Sequence, residues 1–474
     1  MRAALESQTS VAVVGVAGMG GIGKTELAKY LCRELDGQYR VIWLGVYNRP
    51  LADLQSELAR ALGIGAFPPN ATDQSRYETL LAAFHANSCI VFFDGVYKSS
   101  IPALKFLLPP SPPCAALITS RQRELGIAKL VELDVMTLDQ SLELVREAHG
   151  LGDAIKREPD AAIELCELCG YLPLALDIAA SRLRKQLHFS KTPVATFNQL
   201  LTNRLKELQR GANPTREDSI AANMDLSYAD LDDADRRRWR ALSVFAPTGF
   251  MPRAAATLWG ESEPDARTSI EHLQDGSLVM NVEQVGRFRL HDLVRDYATA
   301  KLDECGESDT TNRAHAEFLI ALFDENYTAV SLDSPVAHEL ENLRVAANWA
   351  RAKQDSELLA RLATAPRNWL MVFSIWDEWL GWLNFALRVG RDYAPGLKAN
   401  VLQAIGDVQQ FRKENDAALA SYAQALELFR RVGDREATRL YRQAAELWNR
   451  NGMTDLIKQI LAPRIAEGEK NLAH

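Results

Sequence analysis

No apolar run in the 474 residues approaches the roughly 20 needed to span a bilayer. The opening stretch, MRAALESQTS, lacks the apolar core of a secretory signal, so a cytoplasmic protein is expected. Positive charge is in deficit: 54 Lys and Arg against 62 Asp and Glu leave a formal net charge of −8. That balance argues against general electrostatic binding to nucleic acid or anionic lipid. Cysteine is sparse, and the six (32, 89, 114, 166, 169 and 305) are scattered, mostly in apolar surroundings. Such a pattern suits a reducing compartment and excludes a disulfide framework. Cys166 and Cys169 form a lone CxxC, but AAIELCELCGYLPLAL reads as a helix interior, so buried helix cysteines are preferred over a zinc or redox site.

With 47% apolar and 24% charged residues, the composition is that of a soluble globular protein. The length exceeds one ordinary core and predicts about two to four domains. In the first third, short bounded apolar runs at 11–16, 40–46, 89–94, 114–119 and 129–133 alternate with helical patterns. Strands buried on both faces have this form, so a parallel α/β domain is expected over 1–135. Helical periodicity then predicts a small helical domain over 136–212, closing at the junction-like GANPTRED of 211–218. Several helices followed by two short strands around a turn outline a winged helix over 213–302. Beyond lies a helical linker domain, 303–390, and then 391–474. In that last segment Leu402, Ile405, Gly406, Ala418, Tyr422 and Ala425 match a helical-hairpin repeat of the tetratricopeptide kind. LYRQAAELWNRNG opens a second, degraded copy; a plain helical bundle is the competing reading. Tryptophans at 349, 369, 376, 379 and 382 have helical spacing and read as core.

GMGGIGKT, residues 18–25, satisfies G-x-x-x-x-G-K-[ST], directly after the strand VAVVGV and before the helical KTELAKYLCREL. That is the context a phosphate-binding loop requires. Gly18, Gly20, Gly21 and Gly23 let the backbone turn its amides towards phosphate oxygens. Met19, Ile22 and Glu26 share that backbone, and the helix N-terminus adds positive charge. Lys24 can reach the β- and γ-phosphates, and Thr25 can ligate Mg²⁺. Average residue usage yields the bare pattern in a chain this long only roughly once or twice in a hundred. A nucleoside triphosphate or its product is therefore the expected ligand. Asp94, at the end of CIVFFD, is expected to be the second Mg²⁺ ligand, on the strand neighbouring the loop's own. Arg121 follows the next apolar run, where it can sense a γ-phosphate from a strand end.

The phosphate loop, FFDG, LITSR, CGYLPLAL and RLHDLVRDYA occur here in that order. Together, over residues 11 to about 302, they resemble the NB-ARC branch of the STAND signalling NTPases. The resemblance implies nucleotide, helical and winged-helix domains closing over ADP, with ATP-bound forms assembling into rings or wheels. It implies that Pro173 packs near the base, that His291 reaches the ADP β-phosphate and that Asp292 holds that turn. Arg121 takes the place of the family's γ-phosphate sensor, and Leu290 stands where methionine is usual. Two departures follow. Gly95 replaces a frequent second acid, and loss of a water-positioning base costs a factor of about 10² to 10⁴ in rate. Only ten residues precede the first strand, too few for the family's adenine-contacting segment, so base specificity stays open, as does a shortened or fragmentary chain.

The expectation is an ADP/ATP switch that is at most a slow ATPase. An effector and a trigger would act through the helical C-terminal region. Two alternatives remain. A winged-helix DNA-binding regulator is disfavoured because residues 213–300 hold ten Arg, no Lys and fifteen Asp or Glu. The expected recognition helix PDARTSIEHLQD is itself acidic, and the basic RRRWR run at 236–240 follows four aspartates. A conventional P-loop enzyme needs a catalytic acid next to Asp94, and none is adjacent.

Overall fold

The five apolar runs of the first third lie side by side in one parallel sheet. They are β1 (Val11–Gly15), β2 (Arg40–Tyr47), β3 (Cys89–Val96), β4 (Ala115–Ser120) and β5 (Lys129–Leu133), in the order β2-β3-β4-β1-β5. The computed structural model describes residues 2–7, 10–15, 20–47, 49–65, 67–68, 71–110, 112–122, 125, 129–148, 150–187, 190–208, 216–282, 286–327, 330–331, 334–373, 375–390 and 394–432. Residues alternate across the pleat, so one strand feeds two cores. Val91 and Phe93 join Leu44, Leu54, Leu58, Leu80 and Phe84 on one face. Ile90 and Phe92 join Ala28, Leu31 and Leu35 of the helix Lys24–Leu35 on the other. With helices on both faces the strands have no polar side, which is why they read as continuous apolar runs.

Two expectations are corrected here. β3 does not neighbour β1; β4 lies between them, pairing with both. Nor does β3 stop at Asp94. It runs on to Val96 through a register shift between Phe93 and Val96 at Gly95, whose φ is +69°.

Helices follow at Leu138–Ala148, Pro159–Leu168, Pro173–Gln186 and Pro193–Leu208. Cys166 and Cys169 are buried at the end of the second of these, where burial pushes both thiols up, Cys166 to about 11. The expected junction at 211–218 falls mainly outside the described residues, and the helix Arg216–Asp230 starts within it. Its Asn223 points its amide at Cys169 Sγ, 3.7 Å away. Three helices, Asp233–Ala241, Pro252–Trp259 and Glu263–Gln274, precede an antiparallel hairpin of β6 (Met280–Val282) and β7 (Arg287–Arg289). Phe250 bridges to Phe288 beside the hairpin, and Trp239 is fully buried beneath it, its indole donating to the Leu278 carbonyl. This is a winged helix.

The chain divides into two compact units, residues 1–67 with 71–315, and 68–70 with 316–474. The described part of the second is helical. Trp369, Trp379 and Trp382 are fully buried there and Trp376 nearly so, as core residues; Trp349 is half-buried. The helices Pro395–Phe411 and Asn415–Val432 form the expected hairpin, in which Gly406 makes room for the Tyr422 ring: a Cβ at Gly406 would lie 2.6 Å from Tyr422 Cε1. The degraded second repeat lies outside the described residues.

Candidate functional site

A pocket of about 850 Å³ opens at the carboxyl ends of the parallel strands, the position in which open α/β sheets take ligands. Gly20, Gly21, Ile22, Gly23, Lys24, Thr25 and Glu26 line one wall; Gly18 and Met19 lie outside the described residues. Gly23, at φ +90°, caps the helix Lys24–Leu35, and Lys24 and Thr25 are its first residues. The helix packs against β1, β3 and β4, and Thr25 in its first turn reaches Asp94 of β3.

Asp94 is the polar centre of the floor and is 3% exposed. Its Oδ1 accepts from Thr25 Oγ1 at 2.8 Å and from Thr119 Oγ1 at 2.7 Å. Thr119 in turn accepts from the Gly95 amide at 3.0 Å. Asp94 Oδ2 accepts from the Tyr47 hydroxyl at 3.2 Å. A hydroxyl and a carboxylate in contact form a hard oxygen pair of the kind that holds Mg²⁺ beside phosphates. The donor set fits that ion.

Two later segments of the chain close over the loop. From the helical side, the Leu174 amide donates to the Gly21 carbonyl at 3.3 Å, and Pro173 beside it lines the pocket with Asp177. From the winged helix, Leu293 approaches so closely that a Cβ at Gly20 would lie 2.8 Å from Leu293 Cδ1 and 3.3 Å from Arg121 Nη2. His291 caps the helix Asp292–Glu304, its Nδ1 accepting from the Leu293 amide at 3.2 Å. With Nδ1 an acceptor, the ring's proton sits on Nε2. Burial pushes the imidazole down to about 4, with Arg289, Arg121 and Lys24 acting in the same direction and Asp292 opposing. At neutral pH His291 is thus an uncharged donor.

Asp292 accepts from the Tyr97 hydroxyl at 2.8 Å and pairs with Arg295 at 3.3 Å. Burial would raise its carboxyl, but Arg295, the Tyr97 hydroxyl, His291 and Arg121 together hold it below its usual value. The Lys24 ammonium is pushed down to about 8, first by burial and then by Arg121. Lys24, Arg121 and Arg289 share this pocket and all three act on His291, while its lining also holds Glu26, Asp94, Asp134, Glu143, Asp177 and Asp292.

All the described residues singled out from the sequence come together here. Tyr47, Tyr97, Thr119 and Arg289 were not assigned roles from it. Tyr47 and Tyr97 end or follow strands at the pocket edge of the sheet, and that placement is the one signal by which they were detectable. The pocket's far wall, Leu133 to Met136 with Gln140, Glu143 and Leu144, carries no motif.

Residues 2–150 match the NB-ARC domain family. Among similar proteins, regulatory protein AfsR of Streptomyces griseus is 33% identical over 340 residues, which are 70% of this chain and 34% of that one. A putative HTH-type transcriptional regulator of Mycobacterium tuberculosis is 26% identical over 405 residues, 79% of this chain and 44% of that protein. A probable disease resistance protein of Arabidopsis thaliana is 24% identical over 256 residues, 51% of this chain and 28% of that one. The chain thus spans about a third of the AfsR length. Among solved structures, a STAND protein with a tetratricopeptide repeat sensor from Pyrococcus horikoshii shares the fold. Its TM-score is 0.54 at 13% identity, covering 99% of this chain and 72% of that one. A phosphate-loop helix, a buried aspartate on the third strand and a winged helix meeting the same pocket agree with these likenesses: residues 2–150 are an NB-ARC domain, in a chain that shares its fold with a STAND protein.

Proposed function

We propose that the protein is a nucleotide-dependent switch, closed with ADP and opening or self-associating with ATP to signal to an effector. The observation that carries this reading is the convergence on one phosphate loop of residues far apart in sequence. Leu174 bonds the loop, Leu293 packs on it, and His291 faces the same pocket as Lys24. A ligand touching all three regions stabilises their closed arrangement by its differential affinity. In the closed form Lys24 and the loop amides bind the phosphates, and His291 donates from Nε2 to the β-phosphate. Pro173 packs near the base. Arg121 is placed to meet a third phosphate, and an extra phosphate would compete for the space of the winged-helix contacts. Thr25 and Asp94 hold Mg²⁺, which neutralises phosphate charge when bound. Gly95 offers no carboxylate to accept a proton from attacking water, so the site favours holding nucleotide over turning it over.

The test is the nucleotide content of the purified protein, released by denaturation and separated by chromatography. Near-stoichiometric ADP is expected, and His291→Ala should reduce ADP affinity by at least about tenfold, the scale of one hydrogen bond to a charged group. A protein that binds neither added ADP nor added ATP would overturn the switch. Steady hydrolysis on the order of 1–10 per second would favour a conventional enzyme instead.

Relatives named as transcriptional regulators make duplex DNA a second ligand to weigh. The helix Glu263–Gln274 opposes it: Glu263, Asp265 and Glu271 are exposed along it against Arg267 alone of the arginines and lysines. A phosphate backbone is repelled by such a face. Salt-sensitive duplex binding at low ionic strength would revive the DNA reading.

A further inference from the structure

The position after Asp94 is closed to any side chain, and the group that closes it is Tyr47. A Cβ built on Gly95 would lie 2.6 Å from Tyr47 Cδ1 and Cε1, and one on Gly45 would lie 2.8 Å from Tyr47 Cε2. The two glycines sit on adjacent strands, Gly45 opposite Asp94 in the β2–β3 register. Tyr47 has φ +43°, a left-handed backbone that a bulky residue rarely adopts. The conformation is held from three sides. The Ser100 hydroxyl donates to the Tyr47 carbonyl, the Tyr47 hydroxyl donates to Asp94 Oδ2 at 3.2 Å, and the ring faces Tyr97 at 6.3 Å between centroids. Strain of this kind, kept in place by several contacts at a pocket, points to a functional constraint.

We propose that Tyr47 is a positioning residue of the nucleotide site: its ring fills the place a second acid would occupy, and its hydroxyl orients Asp94. The proposal rests on the nucleotide-switch reading and explains how that switch keeps its triphosphate. In hydrolysis, water oxygen bonds to the γ-phosphorus, and the bond from phosphorus to the bridging β–γ oxygen breaks. The electron pair leaves with ADP, and a base takes the water proton. A tyrosine hydroxyl cannot be that base. The Tyr47 hydroxyl proton is already committed to Asp94 Oδ2 at 3.2 Å, so in this arrangement the residue acts as a donor. It substitutes for the acid in space and in holding Asp94, and not in taking a proton.

The experiment is a two-residue cycle, read in two ways. The first reading is the melting temperature of the nucleotide-free protein. Gly95→Asp alone should lower it, because the carboxylate meets the Tyr47 ring; aspartate is chosen because it tolerates left-handed φ better than most residues. Combined with Tyr47→Ala, the same Gly95→Asp change should cost much less. The second reading is single-turnover ATP hydrolysis with Mg²⁺. Gly95→Asp with Tyr47→Ala should exceed the unmodified protein by at least about tenfold, the low end of what a positioned base supplies, and Gly95→Asp alone should not. Tyr47→Phe, which keeps the ring, should raise the Mg²⁺ concentration needed for tight ATP binding, a readout that ring packing alone would not move. The proposal is overturned if Gly95→Asp alone is as stable and as fast as the double variant. It is also overturned if the double variant gains no rate, or if Tyr47→Phe leaves the Mg²⁺ requirement unchanged. Failure of the unmodified protein to bind any nucleotide would instead remove the switch. The melting cycle, which needs no nucleotide, would still decide whether Tyr47 closes position 95.

Discussion

Single residues in the pocket are governed by what burial does to charge. Lys24 is held near 8 by burial and by Arg121, against an ordinary value of 10.5. Bound phosphate favours the charged amine and raises that value, so above pH 8 binding must take up a proton. Affinity for ADP should therefore fall as pH rises beyond about 8, by up to about tenfold per unit. Calorimetric titrations between pH 7 and 9.5 would check this, and a flat profile would mean that Lys24 does not meet the phosphates. For folding the sign is opposite. Between about 8 and 10.5 the folded state binds fewer protons than the unfolded one, so this residue's contribution to stability improves as pH rises through that window. Lys24, Thr25 and Asp94 were legible in the sequence because their spacing is itself the chemistry. Tyr47 was not: nothing in RVIWLGVY announces that its last residue folds back over two glycines.

Among elements, β3 does the most. Its core half is read directly from CIVFF, since burial on both faces leaves no polar position to interrupt the run. Its far end is not legible in the sequence, because chain composition does not say where a strand bends. The bulge at Gly95 carries the strand on to Val96 and leaves Tyr97 aimed at Asp292, 195 residues later. That hydrogen bond ties the end of the sheet to the start of the winged helix's last helix. A bond to a carboxylate contributes about 1.5–3 kcal/mol, so Tyr97→Phe should speed ADP release by about ten- to a hundredfold. Stopped-flow displacement of a fluorescent ADP analogue would measure it. An unchanged rate would mean that this tie plays no part in holding ADP. The order of strands was also beyond local reading: pairing of β4 with both β1 and β3 is a choice among long-range partners.

At the scale of the whole molecule, the chain divides into two compact units. In the second unit, the hairpin of Pro395–Phe411 and Asn415–Val432 depends on the absence of a side chain at Gly406 against Tyr422. Gly406→Val should destabilise it by about 1–3 kcal/mol, the usual cost of overpacking. Nucleotide affinity of the first unit should then stay within about twofold, as for independent sites. Chemical denaturation followed by tryptophan fluorescence, alongside ADP titration, tests both halves, and an equal loss in both would show that the units are coupled. By itself the sequence determined the strand and helix periods, the phosphate loop with Lys24 and Thr25, Asp94, and the ordered motifs that mark the family. Each of these is a pattern within a few contiguous residues, where backbone geometry repeats at a known period. Only the tertiary structure decided that β4 separates β1 from β3, that Tyr47 closes the place beside Asp94, and that Leu174 and Leu293 meet the phosphate loop. Those are contacts between residues tens to hundreds of positions apart, selected by packing of the whole core and written in no local pattern.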